Sequence, residues 1–491
     1  MPRVTSNNAA ALNTSNQKKI ALQFILAGLA YTIFIAIGLY FEQFWVLLLP
    51  ALLAVFYWYF FRLDTVLYFV AFATPLSIEI FDIGIGGLGI SLPTEPLIVG
   101  LMLFYFLKAM LENKWDKNFY LHPLSIAIIL HLVWILFTSI TSEMPFVSIK
   151  YFIARLWFVS GFYFLGYYLF QRRINAERFI WLFLISMTIV AIYSMIRLHH
   201  YSYNDKAAHW VMEPFFRDHT SYGAILALVF PFLFYFYTKK NFSVYTKTLI
   251  FILILVYLAA IILSYTRAAW LSLVAAFAVF LIYHWKIKLK TILFLIVSMA
   301  LAGMSSYDYI VQKLEKNRQD SSSDLTKHVQ SITNVSSDAS NLERLNRWAA
   351  AIRMFKERPW VGWGPGTYQF VYAPFQMSYQ KTIISTNAGD AGNAHSEYIG
   401  PLCEQGIPGL FFFLLIIFFT YYYASKYYTR SQDADDKRWV LTIVVALTTY
   451  FTHGFLNNYL DLDKASVPFW SLIAMLVATL QRANYNANEP T

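Results

Sequence analysis

TLIFILILVYLAAIILSYTRAAWLSLVAAFAVFLIY (Thr248–Tyr283) decides the fold. On either side of the SYTR turn the chain is apolar for close to the length of a bilayer-crossing helix, roughly twenty residues. It lacks the polar alternation over ~10 residues that marks a membrane β-strand. The stretch therefore reads as two membrane helices, Thr248–Tyr265 and Ala268–Tyr283, whose joint carries a single cation, Arg267. The same texture fills the chain, which is 58% hydrophobic, 19% aromatic and 13% charged. That is too little charge to cover a soluble protein of this length. The fold class is all-α integral membrane.

Working outward, the further candidate spans are Ile20–Tyr40, Phe44–Phe61, Leu63–Ile80, Pro96–Leu111, Pro123–Ile140, Ile149–Phe170, Phe179–Ile196, Ser221–Tyr237, Thr291–Met304, Glu397–Tyr423, Trp439–Phe455 and Ala465–Leu480. The expectation is about 12–14 transmembrane helices. With a cytoplasmic N-terminus, the basic connections (Lys18 and Lys19, Arg172 and Arg173, Lys239 and Lys240, Lys437 and Arg438) all fall inside, as the positive-inside rule requires. The formal charge of +10 is thus used for topology, and nucleic acid is not a partner. Cys403 is the only cysteine, so neither an intrachain disulfide nor a thiolate metal site can form. Met1–Gln17 is polar, and no small-residue cleavage site follows the first apolar run, so no cleaved signal is expected. The organisation expected is a cytoplasmic tail (1–19), an N-terminal helix block (20–304), one large extracytoplasmic loop (305–396), C-terminal helices (397–482) and a cytoplasmic tail (483–491).

The long loop has two textures. Lys316–Ser340 is rich in Ser, Asp and Asn and reads as mobile. NLERLNRWAAAIRMFKERPW (Asn341–Trp360) sets Leu345, Trp348, Ala349, Ile352 and Phe355 at helical spacing, so an amphipathic helix capped by Asn341 is expected at the membrane surface, stopping at Pro359. VGWGPGTYQF (Val361–Phe370) follows, and its glycines, Gly364 among them, fit a tight turn approached by backbone or ligand.

Few residues in this setting can carry chemistry. An arginine at a span costs about 2.5–3.5 kcal/mol to insert, so Arg267 either snorkels at the rim or holds an anion, which its guanidinium grips as a fork. Ser264 and Thr266 stand beside it as possible donors. His395, in NAHSEYIGPLCEQGIPG (Asn393–Gly409), is either a helix cap or a base for an attacking hydroxyl. Gly406 and Gly409 there suit close helix approach. Arg344 and Arg347 on the loop helix are either solvated cations or phosphate contacts. Arg217, Asp218 and His219 open the Ser221–Tyr237 span, with Asp218 placed to cap it. Asp461 and Asp463 alone make a poor cation site.

SYTRAAWLSL (264–273), ERLNRWAAAIRMFKERPWVGWGPGTY (343–368), HSEYIGPLCEQGIPG (395–409) and FRDHTSYGAILALVFPF (216–232) together resemble the O-antigen ligase and polymerase family of polytopic bacterial glycosyltransferases, over about residues 215–475. The resemblance implies a GT-C-like enzyme, multi-pass in the bacterial inner membrane. Its active site would face the periplasm and move a glycan from undecaprenyl diphosphate to lipid A core, or to another glycan or protein acceptor, with no metal, nucleotide sugar or other cofactor. Carried over residue by residue, Arg267 holds the donor diphosphate and stabilises the leaving group, Arg344 or Arg347 is a second phosphate contact, and His395 is the general base of an inverting displacement. Arg217, His219, Ser264, Gly364 and Ser396 are supporting residues. The chain departs from the ligase pattern at Leu410, where threonine or valine is usual. A lipid-linked glycan transporter would also have many spans, but with ionisable residues at mid-span or paired broken helices, and no internal repeat is visible here.

Overall fold

The computed structural model describes residues 5–80, 89–112, 116–287, 339–378 and 392–488. The chain divides into two compact units, Met1–Val66 and Leu67–Thr491. In the first, α1 (Thr5–Tyr40) and α2 (Leu49–Phe61) are joined through a short 3-10 turn, Phe44–Leu48. Tyr31 donates its hydroxyl to the Val46 carbonyl at 3.0 Å, closing the hairpin. Leu22, Ile25, Leu29, Ile33, Phe56 and Phe60 are all exposed, the surface expected of helices that meet lipid.

The second unit begins within the next helix and carries the remaining elements. α3 (Leu63–Ala73) ends well before the expected Ile80. Pro75 removes a backbone donor there, and after the turn Thr74–Leu76 the chain enters β1 (Ile78–Ile80), which pairs antiparallel with β2 (Ile90–Leu92). There follow α4 (Thr94–Glu112), α5 (Lys117–Tyr120), α6 (Pro123–Ile140), α7 (Pro145–Val159) continuing through a π-turn into α8 (Leu165–Phe170), α9 (Arg173–His200), α10 (Asp205–Ala208), α11 (His219–Tyr237), α12 (Val244–Leu263) and α13 (Arg267–His284). Beyond the loop helix α14 (Ala339–Glu357) and the short α15 (Tyr368–Val371) come α16 (Ile399–Arg430), α17 (Ala434–His453) and α18 (Asp463–Asn488). Prolines at the first turns of α6 and α7 and the Asp218 and Asp433 caps mark where helices begin, since each start has orphan N–H groups to satisfy or do without.

Among the described residues, ten helices are long and apolar enough to cross a membrane, and the protein is a mostly helical polytopic membrane protein. The gap from the expected 12–14 has local causes. Leu49–Phe61 and Leu63–Leu76 are short apolar helices. Trp439–Phe455 falls in α17, whose first turns carry Asp435, Asp436, Lys437 and Arg438. Thr291–Met304 lies outside the described residues, as does most of Lys316–Ser340. α18 is buried along its whole apolar window, so the core forms around it and the neighbouring α8 and α17.

The loop helix is present, but its buried side differs from the expected one. Glu343, Asn346, Arg347, Ala350, Ala351 and Met354 are buried, while Leu345, Trp348, Ala349 and Ile352 are only partly so. The reason is docking on protein. Ala351 and Met354 pack with Tyr368, Tyr372, Ala394 and Cys403 into a small core, and Phe355 adds to it. Polar residues on that side are satisfied within the protein rather than in water. Tyr368 donates its hydroxyl to the Arg347 carbonyl at 2.9 Å, and its N–H to Glu404 Oε1 at 2.9 Å.

Candidate functional site

Arg267 is the first residue of α13. The turn before it is held by its own hydroxyls: Ser264 Oγ donates to the Ile261 carbonyl at 2.7 Å and accepts from Thr266 N–H at 3.3 Å, and Thr266 Oγ1 donates to the His219 carbonyl at 2.7 Å. Ser264 and Thr266 are therefore braces for the turn. The last of these bonds ties α11 to α13, and Gly223 makes it possible, since a Cβ there would stand 2.8 Å from Thr266 Cβ. His219 is brought beside Arg267 in this way, within charge–charge reach.

Asp218 caps α11, its Oδ1 accepting from Thr220 N–H and Ser221 N–H at 2.8 Å each, as its position in the sequence suggested. His219 stacks on His209 with ring centroids 4.0 Å apart, and its buried Nδ1 has no hydrogen-bond partner among the described residues. Arg217 points elsewhere, forming a two-pronged pair with Glu79 of β1.

α14 delivers two arginines with different roles. Arg344 lies within charge–charge reach of Arg267, His219, His395 and His453. Arg347 is 7% exposed and committed within the loop: its Nε donates to Glu343 Oε1 at 3.0 Å and its Nη1 to the Asn393 carbonyl at 3.2 Å. Arg347 thus clamps the segment that carries His395, a positioning role distinct from that of Arg344.

His395 sits in the left-handed backbone region (φ 48°), held by its N–H donating to Asn393 Oδ1 at 3.0 Å. It precedes α16 by one turn. Burial, with Arg347 and Arg344 nearby, lowers its imidazole to about 4, against the opposing pull of Asp218 and Glu343. An ordinary imidazole titrates at about 6.5. The structure instead gives a weaker base that is fully neutral at physiological pH, with a lone pair ready to accept a proton. Ser396 does not join in, because its Oγ accepts from the N–H groups of Tyr398 and Ile399 and caps the helix.

The glycines are placed by backbone contacts. Gly364 N–H donates to the Glu404 carbonyl at 2.8 Å, so the glycine turn packs on α16 itself. Gly406 is the kink of α16 (φ 70°, ψ −168°), and a Cβ there would lie 2.2 Å from the Trp360 carbonyl oxygen. The expected helix–helix contact of Gly406 and Gly409 is replaced by this loop contact, and Gly409 faces Gln405 of its own helix.

Arg267, Arg344, His395 and His219 are thus gathered from α13, α14, the approach to α16 and α11. Residues 250–414 match the O-antigen ligase family. The match covers about a third of the chain, taking in Arg267, Arg344 and His395 and leaving out His219. No curated protein matches.

Three residues of the neighbourhood were not singled out from sequence. His453, at the end of α17, bonds Asn457 Nδ2 through Nε2 at 3.0 Å and feels both Arg344 and Asp218. Tyr459 shares a hydrogen bond with Thr220 on the α11 cap. Glu397 accepts from Tyr450 Oη at 2.7 Å, Tyr459 N–H at 2.8 Å and Leu460 N–H at 2.9 Å, all on one oxygen. Glu397 had a signal, an acid inside an otherwise apolar helix entrance. Asp461 bonds Arg155 at 3.1 Å and Asp463 bonds Ser77 and Thr94, so both carboxylates have structural partners.

Proposed function

We propose that the protein is a GT-C-like, ligase-type glycosyltransferase. It moves a glycan from an undecaprenyl diphosphate carrier to an acceptor hydroxyl, that of lipid A core, on the periplasmic face of the inner membrane. The observation that carries this is the convergence of two arginines with a neutral, half-buried histidine. Guanidiniums grip phosphate oxygens as planar forks, and a diphosphate offers two phosphates to the two arginines. In the reaction Arg267 and Arg344 hold the diphosphate and take up the charge that grows on it as the glycosidic bond breaks. His395 accepts the proton of the acceptor hydroxyl as its oxygen attacks the anomeric carbon from the opposite side, so configuration inverts. The diphosphate departs as the lipid carrier product and no external co-reactant is needed. The same chemistry serves a polymerase or a protein-directed transferase, which differ only in the acceptor.

The test is transfer by the purified chain in detergent with chelator, from a lipid diphosphate-linked glycan to lipid A core or to a second carrier-linked repeat, offered separately. Product on lipid A core alone is expected. A ladder of carrier-linked chains would make the protein a polymerase, and a requirement for nucleotide sugar or divalent metal would overturn the mechanism.

A further inference from the structure

A second concavity lies beside the arginine–histidine cluster. It has a volume of 270 Å³ and is lined by Glu79 of the hairpin, by Phe215, Phe216 and Arg217 ahead of α11, and by Asp463 and Lys464 at the start of α18. It shares the first turn of α11 with the cluster. Ser221 lines the cavity and donates its N–H to Asp218, whose charge reaches His395. Cavity and cluster therefore share the first turn of α11.

The floor is buried and braced. Asp463 and Lys464 are 1% and 8% exposed. Asp463 Oδ2 accepts from Ser77 Oγ at 2.8 Å and Thr94 Oγ1 at 2.6 Å, and Lys464 Nζ donates to Ser77 Oγ at 2.6 Å and to its carbonyl at 3.1 Å. At the rim the half-exposed Arg217 is paired with Glu79. With Glu213, the lining holds three carboxylates against two cations, and each cation already stands beside a carboxylate. A phosphate would meet a wall of net negative charge. A sugar ring meets what it needs: carboxylates to accept from its hydroxyls, cations to donate to them, and the part-exposed phenyl group of Phe215 to cover a C–H face. The volume suits one such ring and not a lipid chain.

We infer that this cavity binds one sugar residue of the acceptor, one helical turn from where the new glycosidic bond forms. The donor's first sugar is bonded to the diphosphate and follows it to the arginines, so the acidic cavity falls to the acceptor. The inference rests on the transferase reading for the word acceptor, but saccharide binding can be measured without transfer.

The probes are deacylated core oligosaccharide and, separately, free repeat-unit oligosaccharide, titrated calorimetrically into the full-length protein in detergent. Binding of one probe is expected to weaken about tenfold in Glu79→Gln and in Arg217→Gln, rim changes that leave the buried floor intact, and to persist in Arg267→Ala. In steady state the acceptor KM rises by the same factor, while kcat and the donor KM stay as they were. Unchanged affinity in both rim variants, no binding of either probe to the unaltered protein, displacement by inorganic phosphate, or a shift in donor KM would each overturn the inference. Glu79-dependent binding without any glycan transfer would sink the transferase reading and leave the sugar site standing.

Discussion

Two polar regions lie close together in this membrane protein and are built on opposite terms. Around Glu397 the polar groups are matched: the carboxylate gathers a hydroxyl and two backbone N–H groups, and the nearby Arg155 is bonded to Tyr151 Oη at 2.8 Å and Asp461 at 3.1 Å. Around Arg344 the groups are mixed: Arg267 lies within charge–charge reach, Asp218 and Tyr459 oppose the charge of Arg344, and His219 and His395 stand nearby as neutral imidazoles. Tyr459 belongs to both, giving its N–H to Glu397 and its hydroxyl to the α11 cap. The first arrangement is what a buried polar network needs in order to hold a fold together. The second gathers two cations from separate elements, which is the arrangement that the proposed anion site calls for.

The contrast is broken most severely by removing the proposed base. His395→Asn, chosen because asparagine accepts a left-handed backbone, is expected to lower transfer about 10³-fold with unchanged thermal stability, since it takes away proton transfer and not packing. A comparable drop in melting temperature would mean that His395 is structural. On the other side, Glu397→Ala leaves two backbone N–H groups and a tyrosine hydroxyl without their acceptor and is expected to cost about 3 kcal/mol or more of stability. Glu397→Gln keeps one acceptor oxygen and should cost less, so equal losses in chemical denaturation would refute the network reading. Arg267→Ala is expected to reduce transfer about 10²-fold, with Arg267→Lys recovering part, because a lysine keeps the charge and loses the fork. Full activity in Arg267→Ala would remove the anion site.

The smallest effect is on pH. With the His395 imidazole lowered to about 4, transfer should stay level from about pH 8 to pH 5 and fall below that as the ring takes a proton. The unfolded chain binds that proton nearer pH 6.5, so this group's contribution makes stability fall as pH drops from about 6.5 towards 4. Arg344→Gln, by removing a neighbouring cation, should move the acid limb of the residual activity upward. A limb that stays put would show that Arg344 does not act on His395.

How much of this was legible in the sequence depends on the range of the interaction. Arg267 and His395 stood out because each lies in a polar break beside an apolar helix, Arg344 through the resemblance of its loop helix, and the structure brings all three together. Ser264, Ser396 and Gly364 stood out for the same reason, yet their polar groups are spent on neighbouring backbone. Arg217 is two residues from His219 in sequence and turns away to a partner on β1. His453 gave no signal at the end of an ordinary helix, and only the packing of α17 brings it within reach of Arg344.

By itself the sequence determined the membrane class, the helical texture and the cap at Asp218, because hydropathy and capping act within a turn or two of chain. It also contained the loop helix. Tertiary structure alone decided which side of that helix is buried, which arginine is a clamp and which faces the site, and how far the histidine is shifted from its ordinary value. Those outcomes depend on desolvation and on partners supplied by segments far away in the chain, and local pattern carries no record of either.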